Sequence, residues 1–141
     1  MSEEAPPSPI EAPGACPFCR VERGRIAWSS PLAIAFWDVY PVSLGHALVV
    51  PLRHAASWSE LTTEEKAAIT SGVDGVRALI GQRYQPDAYN VGFNDGEAAG
   101  QTIMHFHVHV IPRYQGDVLD PRGGLRWVLP DKAAYWLSTA Q

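Results

Sequence analysis

Three of the five histidines, His105, His107 and His109, stand at strictly alternate positions. Alternation is the period of an extended chain, so the three imidazoles are predicted on one face of a strand that spans residues 101–113. The other face would carry the apolar residues between and around them, Met104, Phe106, Val108 and Val110. Successive rings would lie roughly 6.5 to 7 Å apart. That spacing is too long for direct hydrogen bonds, but it lets the rings share a phosphate or give one ring to a metal.

A lone histidine on an apolar strand is usually a core residue whose hydrogen bonds are satisfied. Three in register are different, because imidazole titrates at about pH 6.5 and buried rings need a metal, an anion or hydrogen-bond partners. A functional site is therefore predicted at this strand.

Length and composition predict one domain. The chain has 141 residues, of which 46% are hydrophobic, enough for a sizeable core. Its formal net charge of −4 argues against a nucleic-acid polymer as the main partner. The sequence has no apolar run of membrane-spanning length, and its first residues are acidic, unlike a signal peptide. We therefore expect a cytoplasmic protein without a membrane partner.

Periodicity predicts an α+β fold, an antiparallel sheet meander with one long helix. Strands are expected at 25–29, 33–37, 46–50 and 89–94 besides the histidine strand, the second and third as a hairpin. Thr62 and Glu65 have the form of a capping box that starts a helix running to about Tyr84. Gly72 and Gly75 are expected to weaken this helix locally. Its buried stripe is predicted to comprise Leu61, Ala68, Ile69, Val73, Val76, Leu79 and Ile80.

The two ends of the chain are predicted to differ from this domain. Residues 1–15 contain four prolines and three glutamates and are predicted to be a disordered tail. The catalytic domain is placed at residues 16–118, with a C-terminal extension at 119–141. Within the extension, Leu125–Pro130 is expected to be a strand or an extended arm, and Asp131 to cap a short helix.

The only two cysteines, Cys16 and Cys19, form a Cys-x-x-Cys pair. In a chain expected to be cytosolic, this spacing indicates a metal site or a redox pair more than a structural disulfide. Three interpretations remain: a metal knuckle, a pair of free reduced thiols and a thioredoxin-like redox motif. The last is disfavoured because no βαβ pattern surrounds it.

The stretch His105–Ile111 resembles the signature of the histidine triad family, in which three histidines alternate with apolar residues and two apolar residues follow. The flanking Gly100-Gln101-Thr102 and Pro112-Arg113 look like the branch that contains the fragile histidine triad protein and diadenosine polyphosphate hydrolases. This resemblance implies a nucleotide hydrolase or transferase that forms a covalent nucleotidyl-histidine intermediate, and it implies a homodimer, with the long helix and the neighbouring strand at the interface.

The same resemblance implies roles for individual residues around the triad. His107 would be the nucleophile, His109 would assist at the phosphate and the leaving oxygen, and His105 would be the first histidine of the triad. His46, after Gly45, resembles a family histidine that supports the active site next to the triad. The polar residues expected near the phosphates are Gln101, Thr102 and Asn94.

Substrate binding is expected in the first half of the chain. Asp38 stands between aromatic and aliphatic residues at the end of a strand, where it either binds the ribose hydroxyls or caps a turn. The resemblance favours the ribose role. It also implies a base pocket with apolar walls, Phe18, Val21, Phe36 and Val39, and only this analogy indicates a purine.

A structural zinc needs four nitrogen or sulfur ligands, and histidines are available to complete the cysteine pair. In family members with such a knuckle, the two cysteines join the histidine of a Pro-x-x-His turn and the first triad histidine. The resemblance therefore implies zinc held by Cys16, Cys19, His54 and His105, with Pro51 opening the turn.

The leading functional hypothesis is a hydrolase of a nucleotide phosphoanhydride bond, with a diadenosine polyphosphate as the expected substrate. Two enzymatic alternatives stay open, a nucleotide phosphorylase and a nucleoside phosphoramidase. A nucleotide-binding regulatory protein with slow turnover is the alternative from another class, because binding and chemistry would use the same residues.

Overall fold

The computed structural model describes residues 15–137, and five strands and one helix form its framework. The strands are β1 (Ile26–Ser29), β2 (Ala33–Trp37), β3 (Ala47–Pro51), β4 (Ala88–Gly92) and β5 (Val108–Arg113), and the helix is α1 (Thr63–Tyr84). All strand pairs are antiparallel, in the spatial order β1-β2-β3-β5-β4. This is the predicted α+β architecture, including the hairpin of β2 with β3.

The sheet has two different faces. Helix α1 covers one face, where Ala35, Val49, Val110 and Phe106 meet Ile69, Val76 and Ile80 from the helix. On the other face, Phe36, Leu48 and Val50 pack with Phe18 and Val21 from the N-terminal knuckle, the segment of residues 16–21 that contains both cysteines. His109 pairs with Leu48 across the ladder and Leu48 pairs with Phe36. Because paired residues share a face of a sheet, His109 points away from α1, toward the knuckle.

The predicted capping box starts α1. The Thr62 hydroxyl accepts from the Glu65 amide at 3.0 Å, and the Glu65 carboxylate accepts from the Thr62 amide at 2.9 Å. The helix ends at Tyr84 because Gln85 adopts a left-handed conformation, with φ of 54°, and Pro86 follows. Its buried stripe is largely as predicted, except that Leu79 is 37% exposed.

Gly72 and Gly75 of α1 were expected only to weaken the helix, but the structure gives them a role in packing. The indole of Trp28, from β1, lies directly against the helix at Gly72 and Gly75. A methyl group at Gly75 would clash with the Trp28 Cδ1 atom, and one at Gly72 would come within 2.7 Å of the Val49 Cγ1 atom. The absence of side chains at these positions lets the helix approach the sheet closely.

This close approach gives a test of stability. Gly75→Ala is expected to lower the free energy of unfolding by about 1–3 kcal/mol, because the added methyl group overpacks against Trp28. Gly81→Ala is the matched control, since its nearest neighbour is the Tyr89 Oη atom at 3.7 Å. The control should raise stability by up to about 1 kcal/mol through helix propensity. Urea unfolding measures both, and equal stabilisation by the two substitutions would contradict the packing role of Gly75.

The strand of histidines is shorter than predicted. β5 begins at Val108, so His109 lies in the strand, while His105 and His107 belong to irregular chain that precedes it. The Phe106 amide donates to the Ala55 carbonyl at 2.7 Å, outside the sheet ladder. The prediction of three evenly spaced rings on one continuous strand was therefore wrong.

The C-terminal prediction also needs correction. Residues Gly124–Val128, Pro130–Lys132 and Tyr135–Leu137 form short 3₁₀ turns in place of the strand or extended arm and the short helix capped by Asp131. Gly123 and Gly124 have positive φ angles, and Arg126 donates to the carbonyls of Lys132 and Ala133, which folds the segment on itself. The predicted tail, apart from Ala15, and residues 138–141 lie outside the described residues. None of the helices within residues 15–137 combines the length and apolar character needed to cross a bilayer.

Candidate active site

The orientation of His107 is fixed by its own backbone neighbourhood. Its Nδ1 atom lies 2.8 Å from the carbonyl oxygen of His105. A carbonyl only accepts, so Nδ1 carries the hydrogen and Nε2 carries the lone pair. Burial lowers the pKa of His107, which keeps the ring neutral. A neutral imidazole with one nitrogen anchored and the other unprotonated is a competent nucleophile.

His109 lies beside this nucleophile and is backed by His46. The ring centroids of His107 and His109 are 5.2 Å apart. His46 Nε2 and His109 Nδ1 are 2.9 Å apart, which is a hydrogen bond. Burial lowers the pKa of both rings. His46 is 3% exposed, so it contacts His109 from inside the protein, in keeping with a supporting role.

Asp38, His46 and His109 place potential ligand atoms within 4.8 Å of one another, as a metal site does. The Val42 amide, however, donates to His46 Nδ1 at 3.1 Å. That nitrogen therefore holds the lone pair of a neutral ring, and Nε2 holds the hydrogen. A protonated nitrogen cannot bind a metal, so this group is a hydrogen-bonded cluster.

A second group has the chemistry of a zinc site. Cys16, Cys19, His54 and His105 place their ligand atoms within 4.8 Å of one another. The Sγ-to-Nδ1 distances are 3.2 Å for Cys19–His54 and 3.5 Å for both Cys16–His105 and Cys19–His105. The edges of a tetrahedron around zinc would measure about 3.5 Å for such ligands, given typical Zn–S and Zn–N bonds. The four residues therefore fit zinc.

The tautomer of His105 also suits a ligand. Its Nε2 atom lies 2.8 Å from the Pro51 carbonyl, so the hydrogen is on Nε2 and Nδ1 is free to face the cysteines. Burial lowers the pKa of His105 to about 4, which keeps the ring neutral. Partial desolvation and the adjacent Cys16 raise the pKa of the Cys19 thiol. Two neighbouring thiolates would need a cation to be stable, which a dication provides.

The turn that carries His54 is attached to the start of α1. Arg53 donates two hydrogen bonds to the Glu65 carboxylate, at 3.1 and 2.7 Å, and a third to the Glu60 carbonyl at 2.7 Å. Glu65 thus caps the helix and holds the Pro-x-x-His turn at once. The sequence predicted the cap but not this second role.

The predicted base pocket is brought together in part. Phe18 packs against Phe36, with ring centroids 5.4 Å apart, and lies 5.0 Å from the His107 ring. Val21 belongs to the same cluster. Val39 does not, since it is 56% exposed. The knuckle therefore places an apolar surface directly beside the candidate nucleophile, while Val39 stays in solvent because it follows the end of β2.

The contacts of Asp38 are those of a turn cap and of a neighbour of the histidine cluster. Its Oδ1 atom accepts from the Tyr40 amide at 2.9 Å, which is a turn cap. Its Oδ2 atom lies 3.5 Å from His46 Nε2, so the carboxylate is part of the histidine cluster. The side chain is 14% exposed, which leaves limited access for a ligand.

The polar residues predicted around the phosphates occupy different environments. Gln101 is 3% exposed, and its amide group donates to the carbonyls of Ala56 and Ile103 and accepts from the Gly96 amide. Both of its N–H groups are used, so in this conformation Gln101 shapes the loop and offers no donor to a phosphate. Thr102 is exposed and Asn94 is half-buried.

Some groups that shape the site are backbone atoms. The Val42 amide and the carbonyls of Pro51 and His105 fix which nitrogen of three histidines carries the hydrogen. Such groups leave no signal in a single sequence, since the side chain of Val42 is 72% exposed and makes no comparable contact. Of these backbone groups, only the Pro51 carbonyl belongs to a pattern that the sequence shows, the Pro-x-x-His turn.

Comparisons with known proteins agree with the fold and the site. The HIT domain model matches residues 21–116. The adenosine 5′-monophosphoramidase hnt1 of Schizosaccharomyces pombe is 41% identical over 102 residues, which cover 70% of this chain and 74% of that protein. The asymmetrical bis(5′-nucleosyl)-tetraphosphatase of the same yeast is 36% identical, over 66% of this chain and 51% of the relative.

A solved structure shows the same fold. A zinc-bound histidine triad family protein from Mycobacterium smegmatis superposes with a TM-score of 0.68 and 28% identity, over 76% of this chain and 81% of that one. The family match and the named relatives agree with the geometry of the three histidines. The chain therefore belongs to the HIT family and, like these relatives, is an enzyme that acts on nucleotides.

Proposed function

We propose that this HIT-family enzyme hydrolyses a nucleotide phosphoanhydride bond, with a diadenosine polyphosphate as substrate, through a nucleotidyl intermediate on His107. The observation that carries the proposal is the 2.8 Å hydrogen bond from His107 Nδ1–H to the His105 carbonyl. It leaves Nε2 as the only nitrogen of that ring able to attack phosphorus. Phe18, 5.0 Å from the ring, supports an apolar site for a base nearby.

Two steps describe the proposed reaction. His107 Nε2 attacks the phosphorus atom, the bond to the leaving oxygen breaks, and the nucleotidyl group stays on His107. Water then attacks the same phosphorus and loses a proton to the solvent, the bond to His107 breaks, and its electrons return to Nε2. His109 lies beside His107, where it can donate a hydrogen bond to the oxygen on which charge develops.

Zinc held by Cys16, Cys19, His54 and His105 is part of the proposal. With four protein ligands the ion has no open position for water, so it would stabilise the structure and take no part in phosphoryl chemistry. His105 is two residues from the nucleophile, and Phe18 lies between the two cysteines. The ion would thus join the start of the catalytic segment to the knuckle that forms the apolar wall.

A substrate panel tests the proposed activity. Purified protein is given dinucleoside polyphosphates, nucleoside diphosphates and nucleoside phosphoramidates, and the products are identified with and without inorganic phosphate. A dinucleoside polyphosphate is expected to give two products, a mononucleotide and the nucleotide that carries the other phosphates. The new oxygen on the mononucleotide phosphate should come from water. Incorporation of inorganic phosphate would instead identify a phosphorylase, and faster cleavage of amidates a phosphoramidase.

Multiple turnover separates an enzyme from a regulatory binding protein. The proposal expects many turnovers per active site, because water can resolve the intermediate. A protein that binds nucleotide tightly with negligible multiple turnover would contradict it.

The proposed ribose contact of Asp38 gives a further prediction. Asp38→Ala is expected to weaken binding of a ribonucleotide by about ten- to a hundredfold, because that is the loss in affinity when hydrogen bonds to a charged acceptor are removed. Binding of the 2′,3′-dideoxy analogue should change far less. Asp38→Asn is the matched variant, because an amide oxygen can still cap the Tyr40 amide. Equal weakening of both ligands by Asp38→Ala, with both restored by Asp38→Asn, would show a turn cap only.

We further propose that the enzyme works in the cytoplasm as a homodimer, with α1 and a neighbouring strand at the interface. Phe93, just after the edge strand β4, is 41% exposed, so an apolar side chain is available at that edge of the sheet. Light scattering on the purified protein measures the mass directly, and a monomer at working concentration would contradict the homodimer.

A further inference from the structure

A groove of about 480 Å³ lies at the β1 side of the molecule, and no histidine lines it. The end of α1 forms one wall with Leu79, Gln82 and Arg83, and the sheet forms the other with Trp37 of β2 and the start of β1. β1 is the outermost strand on this side of the sheet, and within residues 15–137 it pairs only with β2. The groove is therefore bordered by a strand edge that has no partner among these residues.

The groove combines an aromatic wall with a positive charge. The Arg83 guanidinium lies over the Trp37 ring, 5.3 Å from its centroid, and Arg83 forms no ion pair within residues 15–137. The chain as a whole has a formal net charge of −4, so this basic surface is local. Grooves lined by aromatic side chains bind proline-rich segments, and an arginine at the rim adds a preference for carboxylates.

Arg25 marks the edge between this groove and the face of the sheet that carries the knuckle. Its guanidinium lies 5.2 Å from the ring centroid of Phe36, which packs with the knuckle, and donates to the Trp37 carbonyl at 3.2 Å. Its Nε atom is buried without a hydrogen-bond partner, the one such side-chain atom in the described part of the chain. Buried donors without an acceptor are rare in folded proteins. Arg25 therefore has hydrogen-bond capacity for a segment that crosses this edge.

The chain contains a segment with the matching chemistry, residues 1–14, which lie outside the described residues. This segment has three glutamates, Glu3, Glu4 and Glu11, and no lysine or arginine, and it contains the run Pro6-Pro7-Ser8-Pro9. Proline-rich sequences favour the polyproline II conformation, in which backbone carbonyls have no internal hydrogen bonds and can accept from other groups. Carboxylates and free carbonyls are the acceptors that Arg25 and Arg83 lack.

The segment is long enough to reach the groove. Gly24 lines the groove, and Cys16 stands eight residues before it, so at most about 30 Å separates the two. The Cys19 amide donates to the Cys16 carbonyl at 3.2 Å, and this turn shortens the distance. Residues 6–15 span roughly 30 Å when extended. The segment can therefore cross the sheet edge at β1 and enter the groove.

We propose that residues 6–11 of this chain dock into the groove between β1 and the end of α1, with the prolines against Trp37 and the glutamates of residues 1–14 near Arg25 and Arg83. The docked segment covers the edge of β1, which would otherwise be available to strands of other chains. Because Trp37 directly precedes Asp38, docking also steadies the end of the strand that carries Asp38 to the histidines. The inference does not depend on the proposed chemistry of His107.

Nuclear Overhauser effects measured on the full-length protein test the docking. Contacts from the prolines and Ile10 to the Trp37 indole are expected in the wild type. Arg83→Glu should lower the equilibrium constant for docking by about fivefold, because an attractive pair of exposed charges becomes a repulsive one. Arg77→Glu is the matched control, since Arg77 is exposed on the same helix but lies over Tyr89, 4.4 Å from the ring centroid, and does not line the groove. The control should leave docking unchanged.

Two results would overturn the proposal. One is a folded wild-type protein with no contact between residues 1–14 and Trp37, and the other is equal docking in Arg83→Glu and Arg77→Glu. Salt provides a reading that needs no variant. The docked population of the wild type should fall between about 0.1 M and 1 M salt, because the screening length shortens from about 10 Å to about 3 Å.

A mixture of nitrogen-15-labelled and carbon-13-labelled chains shows which chain supplies the segment. Contacts between the segment and the groove of the same chain are expected. Contacts found only between differently labelled chains would overturn the proposal and identify a second copy as the source of the segment. Failure of docking in any of these experiments leaves the proposed hydrolysis unaffected, because nucleotide turnover is measured separately.

Discussion

His107→Ala is expected to lower kcat by about a thousandfold or more, because only this side chain has an unprotonated nitrogen positioned to attack phosphorus. His107→Asn should be equally inactive and is the better probe. Its amide N–H can replace the Nδ1–H that donates to the His105 carbonyl, so the local backbone is preserved. The loss should appear in kcat more than in KM, as expected for an interaction that forms only in the transition state.

The fold of each variant is checked independently of activity. Zinc content, melting temperature and nucleotide affinity of His107→Asn should stay close to those of the wild type. A His107→Asn protein with near-normal kcat would contradict the assignment of the nucleophile. A folded His107→Asn protein that no longer binds nucleotide would show that His107 acts mainly in binding.

Loss of a metal ligand is expected to have the second-largest effect. Cys16→Ser or His54→Ala should lower the melting temperature by about 5–10 °C, which corresponds to about 2–3 kcal/mol for a domain of this size. KM should rise and kcat should fall less than in His107→Ala, because the ion would fix His105 and the knuckle but not the nucleophile itself. Treatment with a chelator should lower the melting temperature of the wild type and leave the variants unchanged.

Elemental analysis provides the control for this effect. About one zinc per chain is expected in the native protein, in line with four protein ligands, and far less in either variant. Native protein without tightly bound metal, or variants with full occupancy, would contradict the zinc site. His105 would then act only as the first histidine of the triad.

Much of the fold could be predicted from periodicity and local signals. The capping box at Thr62 and Glu65 located the start of α1, and the alternation of apolar residues located β1 to β4 to within one or two residues, whereas β5 begins seven residues later than predicted. The roles of Gly72 and Gly75 could not be predicted, because they depend on Trp28, which is distant in sequence and meets the helix only through the tertiary fold.

The candidate site was predictable as a set of residues but not as an arrangement. The spacing of the histidines indicated one strand, whereas the chain leaves the sheet before Val108 because the Phe106 amide and the His105 ring bind the carbonyls of Ala55 and Pro51. Side-chain chemistry indicated which residues to consider. The tautomers, which decide whether a ring attacks, donates or binds a metal, depend on backbone groups that are distant in sequence or leave no sequence signal.

Trapping of the covalent intermediate shows directly whether His107 is the nucleophile. The protein is mixed with a dinucleoside polyphosphate, denatured within a single turnover, and digested for peptide mass spectrometry under conditions that preserve phosphorus–nitrogen bonds. A nucleotidyl group on His107 is expected to appear before the second product and to be absent from His107→Asn. Single-turnover product formation with no adduct on His107, or with the adduct on His109, would contradict it.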